Sequence, residues 1–210
     1  MSRRAPRHDA TPRRTPRRGP SLHIVGAILE SATRILSREG YASLTTNRIA
    51  DLAGVSIGSL YQYFPGKQAV IAALARQLEY RALEIFATAL AGGVRRSLRA
   101  VASALIPALA GEQLGDLATR REILSHVPRS WTREVSDEVD AMVTSALAAH
   151  LDERADVREG NRTMMAFVIV RAVEAVLEAA VTQNPELLKD EEFLNELVEL
   201  PVRYLRAEPG

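Results

Sequence analysis

The chain has 210 residues, 47% hydrophobic and 25% charged, an ordinary make-up for a globular protein with a sizeable core in one or two domains. It has no cysteine, and its four histidines (His8, His23, His126, His150) are scattered. This excludes disulfides, thiolate metal sites, iron–sulfur clusters and cysteine nucleophiles, and the absence of an HExxH pair removes the usual histidine zinc motif. The net charge of +1 conceals an asymmetry: residues 1–20 carry seven arginines and one aspartate, and the remaining 190 residues carry five more acids than bases.

A basic tail on a mildly acidic body points to a polyanion partner for the tail. Pro6, Pro12, Pro16 and Pro20 stand among those arginines, so residues 1–20 are expected to form a disordered arm and no packed element. Two roles stay open for it: a solvated tail, or an arm that lies along phosphates or enters a minor groove. The apolar run 22–29 contains His23, is followed by Glu30 and lacks an A-x-A-like cleavage site, so it is not taken as a secretory leader. Arg17-Arg18 is followed by Gly19-Pro20, where a twin-arginine leader is apolar. No apolar run approaches the roughly 18 residues of a membrane span, and the expectation is a cytoplasmic protein with no membrane partner.

From residue 21 the pattern is helical. Ile24, Ile28, Ala32 and Ile35 recur at helical spacing, and Gly40 supplies a stop, giving a helix over about 21–39. After a short linker, Thr45 and Thr46 offer capping hydroxyls to a helix with Ile49, Ala50 and Ala53 on its inner face. Gly54 stands where a tight turn needs positive φ, Val55 plugs the corner, and Ser56 caps a second helix whose inner face is Leu60 and Phe64. Pro65 and Gly66 end it. Two short helices about a glycine turn are a helix-turn-helix, whose second helix enters the DNA major groove. Its outward face is expected to carry Ser56, Ile57, Ser59, Tyr61, Gln62 and Tyr63, hydroxyls and amides suited to phosphates and base edges, with Ile57 for a thymine methyl and Gly58 for close approach.

The run from Leu44 through Lys67, above all Ala53-Gly54-Val55-Ser56-Ile57-Gly58-Ser59-Leu60-Tyr61-Gln62-Tyr63-Phe64-Pro65-Gly66-Lys67, resembles the TetR (tetracycline-repressor) family over roughly residues 24–75. The resemblance implies an all-α protein with a three-helix DNA-binding head and a larger C-terminal helical domain for effector binding and dimerisation. It also implies that Thr46, Ser59, Tyr61 and Lys67 meet phosphates, that Asn47 and Arg48 contact bases or backbone, and that Ile57, Gly58, Gln62 and Tyr63 face the major groove. Lys67 is one of only two lysines beside 25 arginines, and a point charge at a helix start suits a phosphate. Tyr63 stands where many members have histidine. Asn47 stands where some have arginine, so base specificity does not transfer.

Further helices are expected over 67–90, 94–110, 117–126, 130–151, 163–181 and 190–206, with Pro107 as a kink or stop and a weak stretch at Gly111 to Gly115. Domains are placed at 1–20 (arm), 21–67 (helix-turn-helix) and 68–210 (effector and dimerisation). The segment 163–181 is apolar nearly all round and must be buried on more than one side. Its Arg171, Glu174 and Glu178 form one stripe, either solvated or a charged seam between subunits. The resemblance implies that the last two helices of each subunit build a four-helix dimer bundle. A two-fold dimer would read a palindromic site in double-stranded DNA, and a small molecule favouring the wrong head spacing would release it. His126, Trp131, Met142, Met164, Met165 and Phe167 are the candidate residues for a largely apolar effector, with core packing the alternative for each. A regulator gated by a protein partner, or without an inducer, is the second reading. An all-helical enzyme is the third; it has no phosphate loop, GxSxG or nucleophile–histidine pair behind it. No cofactor or metal site is expected.

Overall fold

The structure, a computed structural model, describes residues 19–207; the arginine arm lies almost wholly outside them. Nine α-helices occur among the described residues: α1 (Gly19–Glu39), α2 (Thr46–Ala53), α3 (Ile57–Tyr63), α4 (Lys67–Leu90), α5 (Leu98–Gly115), α6 (Leu117–His126), α7 (Arg133–Asp152), α8 (Arg162–Gln183) and α9 (Glu191–Leu205). The fold is all-α, and the one β feature among the described residues is an isolated bridge between Val157 and Arg206. None of the described helices is long and apolar enough to cross a membrane.

The chain divides into two compact units. One holds the described residues up to Gln77 together with His126–Val135; the other holds Leu78–Ser125 and the chain from Ser136 on. The expected boundary at 67/68 therefore falls within the first unit, ten residues before this division inside the unbroken α4.

In the first unit, Ile28, Ala32, Ile35 and Leu36 of α1 are buried with Leu44, Ile49, Ala50, Leu60 and Phe64, each at 2% exposure or less. A fully buried aliphatic or aromatic side chain of this kind contributes about 1.5–3 kcal/mol. In the second unit, Ala102, Ile106 and Ala110 of α5 pack with Leu177, Ala180 and Val181 of α8 and Leu197 and Val198 of α9. A neighbouring cluster joins Phe86, Leu147, Leu151, Val157, Met165, Ala166, Ile169 and Leu205.

Two expectations are corrected here. Helix α1 begins at Gly19, inside the expected arm, because a proline in the first helical turn gives up no hydrogen bond. Helix α5 starts four residues later than the pattern indicates and runs through Pro107 and Gly111 to Gly115. An interior proline costs about 3 kcal/mol, and the buried neighbours Ile106 and Ala110 hold the helix together across it.

The connection between α7 and α8 is tied down by two arginines. Arg154, buried to 6% exposure, donates from Nε and Nη2 to both Asp156 oxygens at 2.8 and 2.7 Å, and from Nη1 to the Arg96 carbonyl at 2.8 Å. Arg158 donates from Nε to the Tyr204 carbonyl at 2.7 Å and lies 4.6 Å above the Tyr204 ring. The clasp fixes the end of α9 to the loop, where the Val157–Arg206 bridge forms.

Candidate nucleic-acid interface

The motif is built from its caps outward. Thr45 is extended and its Oγ1 accepts from the Arg48 N–H at 3.3 Å, which starts α2. Gly54 closes it in the left-handed conformation, φ 66° and ψ 29°, with its N–H directed at the Ala50 and Asp51 carbonyls. Here a side chain would be strained, so glycine is required. Ser56 then caps α3, its Oγ accepting from the Ser59 N–H at 3.0 Å. Ile49 and Ala50 from α2 and Leu60 from α3 fill the inside of the pair.

The outward face is polar and pre-arranged. Ile57 and Tyr61 are 39% and 43% exposed, and Asn47, Arg48, Ser56, Gly58 and Gln62 are exposed with them. Thr46 and Ser59 are partly buried. The Ser56 and Ser59 hydroxyls are 2.8 Å apart, and the Thr46 hydroxyl and Tyr61 phenol 3.2 Å apart, so the latter pair bridges α2 and α3. Arg48 forms an ion pair with Glu39 of α1 and donates to the Ser43 carbonyl at 3.4 Å. A Cβ on Gly58 would meet only the Ser56 Oγ, at 3.8 Å. Nothing among the described residues demands glycine at this position.

Tyr63 departs from expectation. It is 8% exposed, on the inner side of α3 with Leu60, and does not stand on the outward face. Residues 60, 63 and 64 share one side of a helix, and three successive residues sweep too much of its circumference to face one way.

Lys67, at the start of α4, is partly buried. Its Nζ donates to the Leu44 carbonyl at 3.4 Å and lies 4.4 Å over the Tyr41 ring. That ring is stacked on His126. Tyr41, read from the sequence only as linker, is the residue that positions the lysine. An aromatic one residue after the Gly40 stop was the available signal.

The six effector candidates are divided between the two units. His126 is exposed and stacked on Tyr41, and Trp131 is partly buried, both in the first unit. Met165 is buried in the core of the second, whereas Met142, Met164 and Phe167 are 45%, 65% and 53% exposed. With Val168, Met164 and Phe167 form an exposed apolar strip on α8. Sequence reasoning missed a different set in the second unit. Glu112 and Arg120 form an ion pair with side chains 9% and 10% exposed. Arg171 pairs with Asp140 of α7 and with Glu174, at 2.7 Å to the latter, so the α8 stripe is engaged within the subunit. Burial pushes the carboxyls of Glu79, Asp140 and Glu174 up, and neighbouring carboxylates add to it; Glu174 reaches about 7. No local sequence pattern marks this set, because its members stand far apart in the chain.

Comparison with known proteins fits this architecture. Residues 28–74 match the family described as "Bacterial regulatory proteins, tetR family", and residues 97–205, over half the chain, match "Tetracyclin repressor-like, C-terminal domain". The HTH-type transcriptional repressor KstR of Mycolicibacterium smegmatis is 37% identical over 67 residues, which is 31% of this chain and 33% of that protein. KstR of Rhodococcus jostii is 38% identical over 53 residues, 25% of each. The chain thus aligns with a third or less of these relatives' length. Among solved structures, a TetR-family regulator of Mesorhizobium loti superposes with TM-score 0.69 at 17% identity, covering 90% of this chain and all of that one. NalD of Pseudomonas aeruginosa, the secondary repressor of the MexAB-OprM multidrug efflux pump, superposes with TM-score 0.68 at 17% identity, covering 91% of this chain and all of that one. At such identity these structures speak for the fold alone. With both halves of the chain matched, the protein belongs to the TetR family of bacterial transcriptional regulators, DNA-binding proteins and not enzymes.

Proposed function

We propose that the protein is a dimeric repressor that reads a palindromic operator with α3 and is released by a small molecule held in its C-terminal unit. The capped helix-turn-helix carries this reading: Ile57, Tyr61 and Gln62 point outward from a helix seated on Ile49 and Ala50. In this reading Thr46, Ser56, Ser59, Tyr61 and Lys67 hold phosphates, and Asn47, Arg48, Ile57, Gly58 and Gln62 lie nearest the bases. Tyr63 supports α3 from behind. The exposed Met164–Phe167–Val168 strip of α8 is the dimer contact, which α9, with Glu192, Asn195, Glu196 and Arg203 outward, would flank as a polar rim. A two-fold dimer sets the recognition helices about 34 Å apart, one turn of DNA.

The test is fluorescence anisotropy of full-length protein on the DNA beside its own gene, titrated with salt. Sequence-specific binding that survives about 150 mM salt establishes the regulator; binding that vanishes equally on unrelated DNA leaves only the electrostatic part and counts against this operator. Deleting residues 2–18 should flatten the salt slope by about 0.9 for each phosphate contact the arm makes; an unchanged slope would make it a passive tail.

A further inference from the structure

The segment that builds the helix-turn-helix carries no net charge. From Glu39 through Lys67 the only charged residues are Glu39, Arg48, Asp51 and Lys67, two of each sign, and α3 has none. Attraction to phosphates supplies essentially all of a protein's affinity for DNA of arbitrary sequence, so the state of these two cations decides how strongly the motif feels a duplex. Both are engaged within the chain, at the carbonyls of successive residues. Arg48 donates from Nη1 to the Ser43 carbonyl at 3.4 Å and from Nη2 to the Glu39 carboxylate, with which it forms an ion pair. Lys67 donates from Nζ to the Leu44 carbonyl at 3.4 Å.

Their own helices do not explain why Arg48 and Glu39 stand where they do. Arg48 is the third residue of α2, where a threonine-capped helix gains from a Glu or Gln that reaches back to the cap. A cation there also meets the positive end of the helix dipole. Glu39 is the last residue of α1, and an anion there meets the negative end. Each charge thus stands at the wrong end of its helix, and the pairing of the two accounts for both. The two side chains stay 48% and 41% exposed. An exposed pair is held weakly, so a phosphate can draw Arg48 away, but a bare carboxylate is then left at the same corner.

We propose that Glu39 is a positioning residue that restrains DNA binding: it holds the Arg48 guanidinium at the corner between α1 and α2 and cancels its charge, so that the motif attracts phosphates weakly whatever their sequence. Discrimination is then left to the uncharged outward face of α3. The proposal rests on the reading above that sets α2 and α3 against DNA, and adds to it that any contact of Arg48 with a duplex first costs the Glu39 pair. It also fixes the sign of the effect. Removing the Glu39 charge should strengthen binding, whereas losing a merely structural contact would weaken it.

The test is fluorescence anisotropy of the full-length protein on two duplexes of equal length, the DNA beside its own gene and an unrelated sequence, with salt varied from about 50 to 200 mM. On the unrelated duplex E39Q should bind at least about threefold more tightly at the lower salt. Its slope of log affinity against log salt should steepen by about 0.9 for each motif that meets the duplex. E39D, which keeps the charge, should retain the wild-type slope. E39Q/R48Q should lose the gain, because the cation released by the first change is removed by the second; thermal denaturation confirms that each variant is folded. An E39Q protein with the wild-type slope, weaker binding by E39Q, or a gain that persists in E39Q/R48Q would overturn the proposal. The two duplexes separate this proposal from the operator reading. A wild type that prefers neither duplex, with E39Q still steepening the slope, removes this operator and keeps the restraint. A wild type that selects its own DNA, with E39Q unaltered, keeps the operator and removes the restraint.

Discussion

The Tyr41 ring lies parallel to the His126 imidazole, planes within 8° and centroids 6.4 Å apart, and the Lys67 ammonium lies 4.4 Å from the ring centre. The last residue of α6, the turn after α1 and the first residue of α4 therefore meet at one aromatic ring. Stacking and cation–π contacts of this size contribute roughly 0.5–1.5 kcal/mol each, enough to hold a long side chain in one place without locking it.

Lys67→Ala tests what that placement is for. If Lys67 holds a phosphate, operator affinity falls several-fold, and the slope of log affinity against log salt shrinks by about 0.9. Tyr41→Ala, which frees the lysine but keeps its charge, should weaken binding less. An unchanged slope in Lys67→Ala would remove the lysine from the interface.

Tyr61 and Tyr63 should separate cleanly, since one is exposed and the other is buried. Tyr63→Ala empties an inner position of α3 and should destabilise the head by about 3–5 kcal/mol, seen as an early thermal transition. Tyr61→Ala should leave that transition in place and weaken operator binding. Similar melting of both variants would contradict the burial difference.

Gly58→Ala meets no neighbour closer than 3.8 Å. It should stabilise α3 by about 0.5–1 kcal/mol through helix propensity. If the backbone at this position approaches the groove, operator affinity falls at the same time. A variant that is both more stable and equally tight in binding would show that the glycine has no such role.

The Glu174 carboxyl titrates at about 7 in the folded protein against an ordinary 4.5, chiefly through burial. Below 4.5 both folded and unfolded chains hold the proton. Between these values only the folded chain holds it, so its stabilising contribution declines as pH rises and is gone above about 7. Urea denaturation from pH 5 to pH 8 should show Glu174→Gln lacking this part of the decline, and ending more stable than wild type at pH 8 by on the order of 1–3 kcal/mol. Parallel pH profiles for the two proteins would refute the assignment.

Phe167→Glu places a charge in the exposed strip of α8, where Phe167 is 53% exposed. If the strip is the dimer contact, sedimentation should show half the wild-type mass, with the thermal transition of the second unit nearly unchanged and operator affinity at least tenfold weaker. An intact dimer would move the interface elsewhere.

How much of this could be read from the residues depended on the range of the determining interaction. Helix α2, its glycine turn and helix α3 are set by caps and turn chemistry a few residues apart, so Thr45, Gly54 and Ser56 announce them. The limits of α4 and α6 followed from periodicity and breakers in the same way. Tyr63 was misplaced because residue type outweighed helical geometry. Pro107 misled because its local penalty is overcome by Ile106 and Ala110, whose partners on α8 and α9 are more than 65 residues away. The ion pairs of Glu112 with Arg120 and of Asp140 with Arg171 were illegible for a related reason. Each joins two helices, and no local pattern records that they meet.

The Arg154–Asp156 clasp constrains how this sequence can drift. Asp156 is half exposed and looks replaceable, but its loss strands a guanidinium whose side chain is 3% exposed, with only the Arg96 carbonyl left. Such a stranded charge costs about 3–5 kcal/mol, whereas exchanging both partners for well-packed apolar residues can cost little. Each single step is worse than the pair taken together. The two positions are thus bound to one another in mutational space: neither is free to change first, and a descendant that lacks one should lack both.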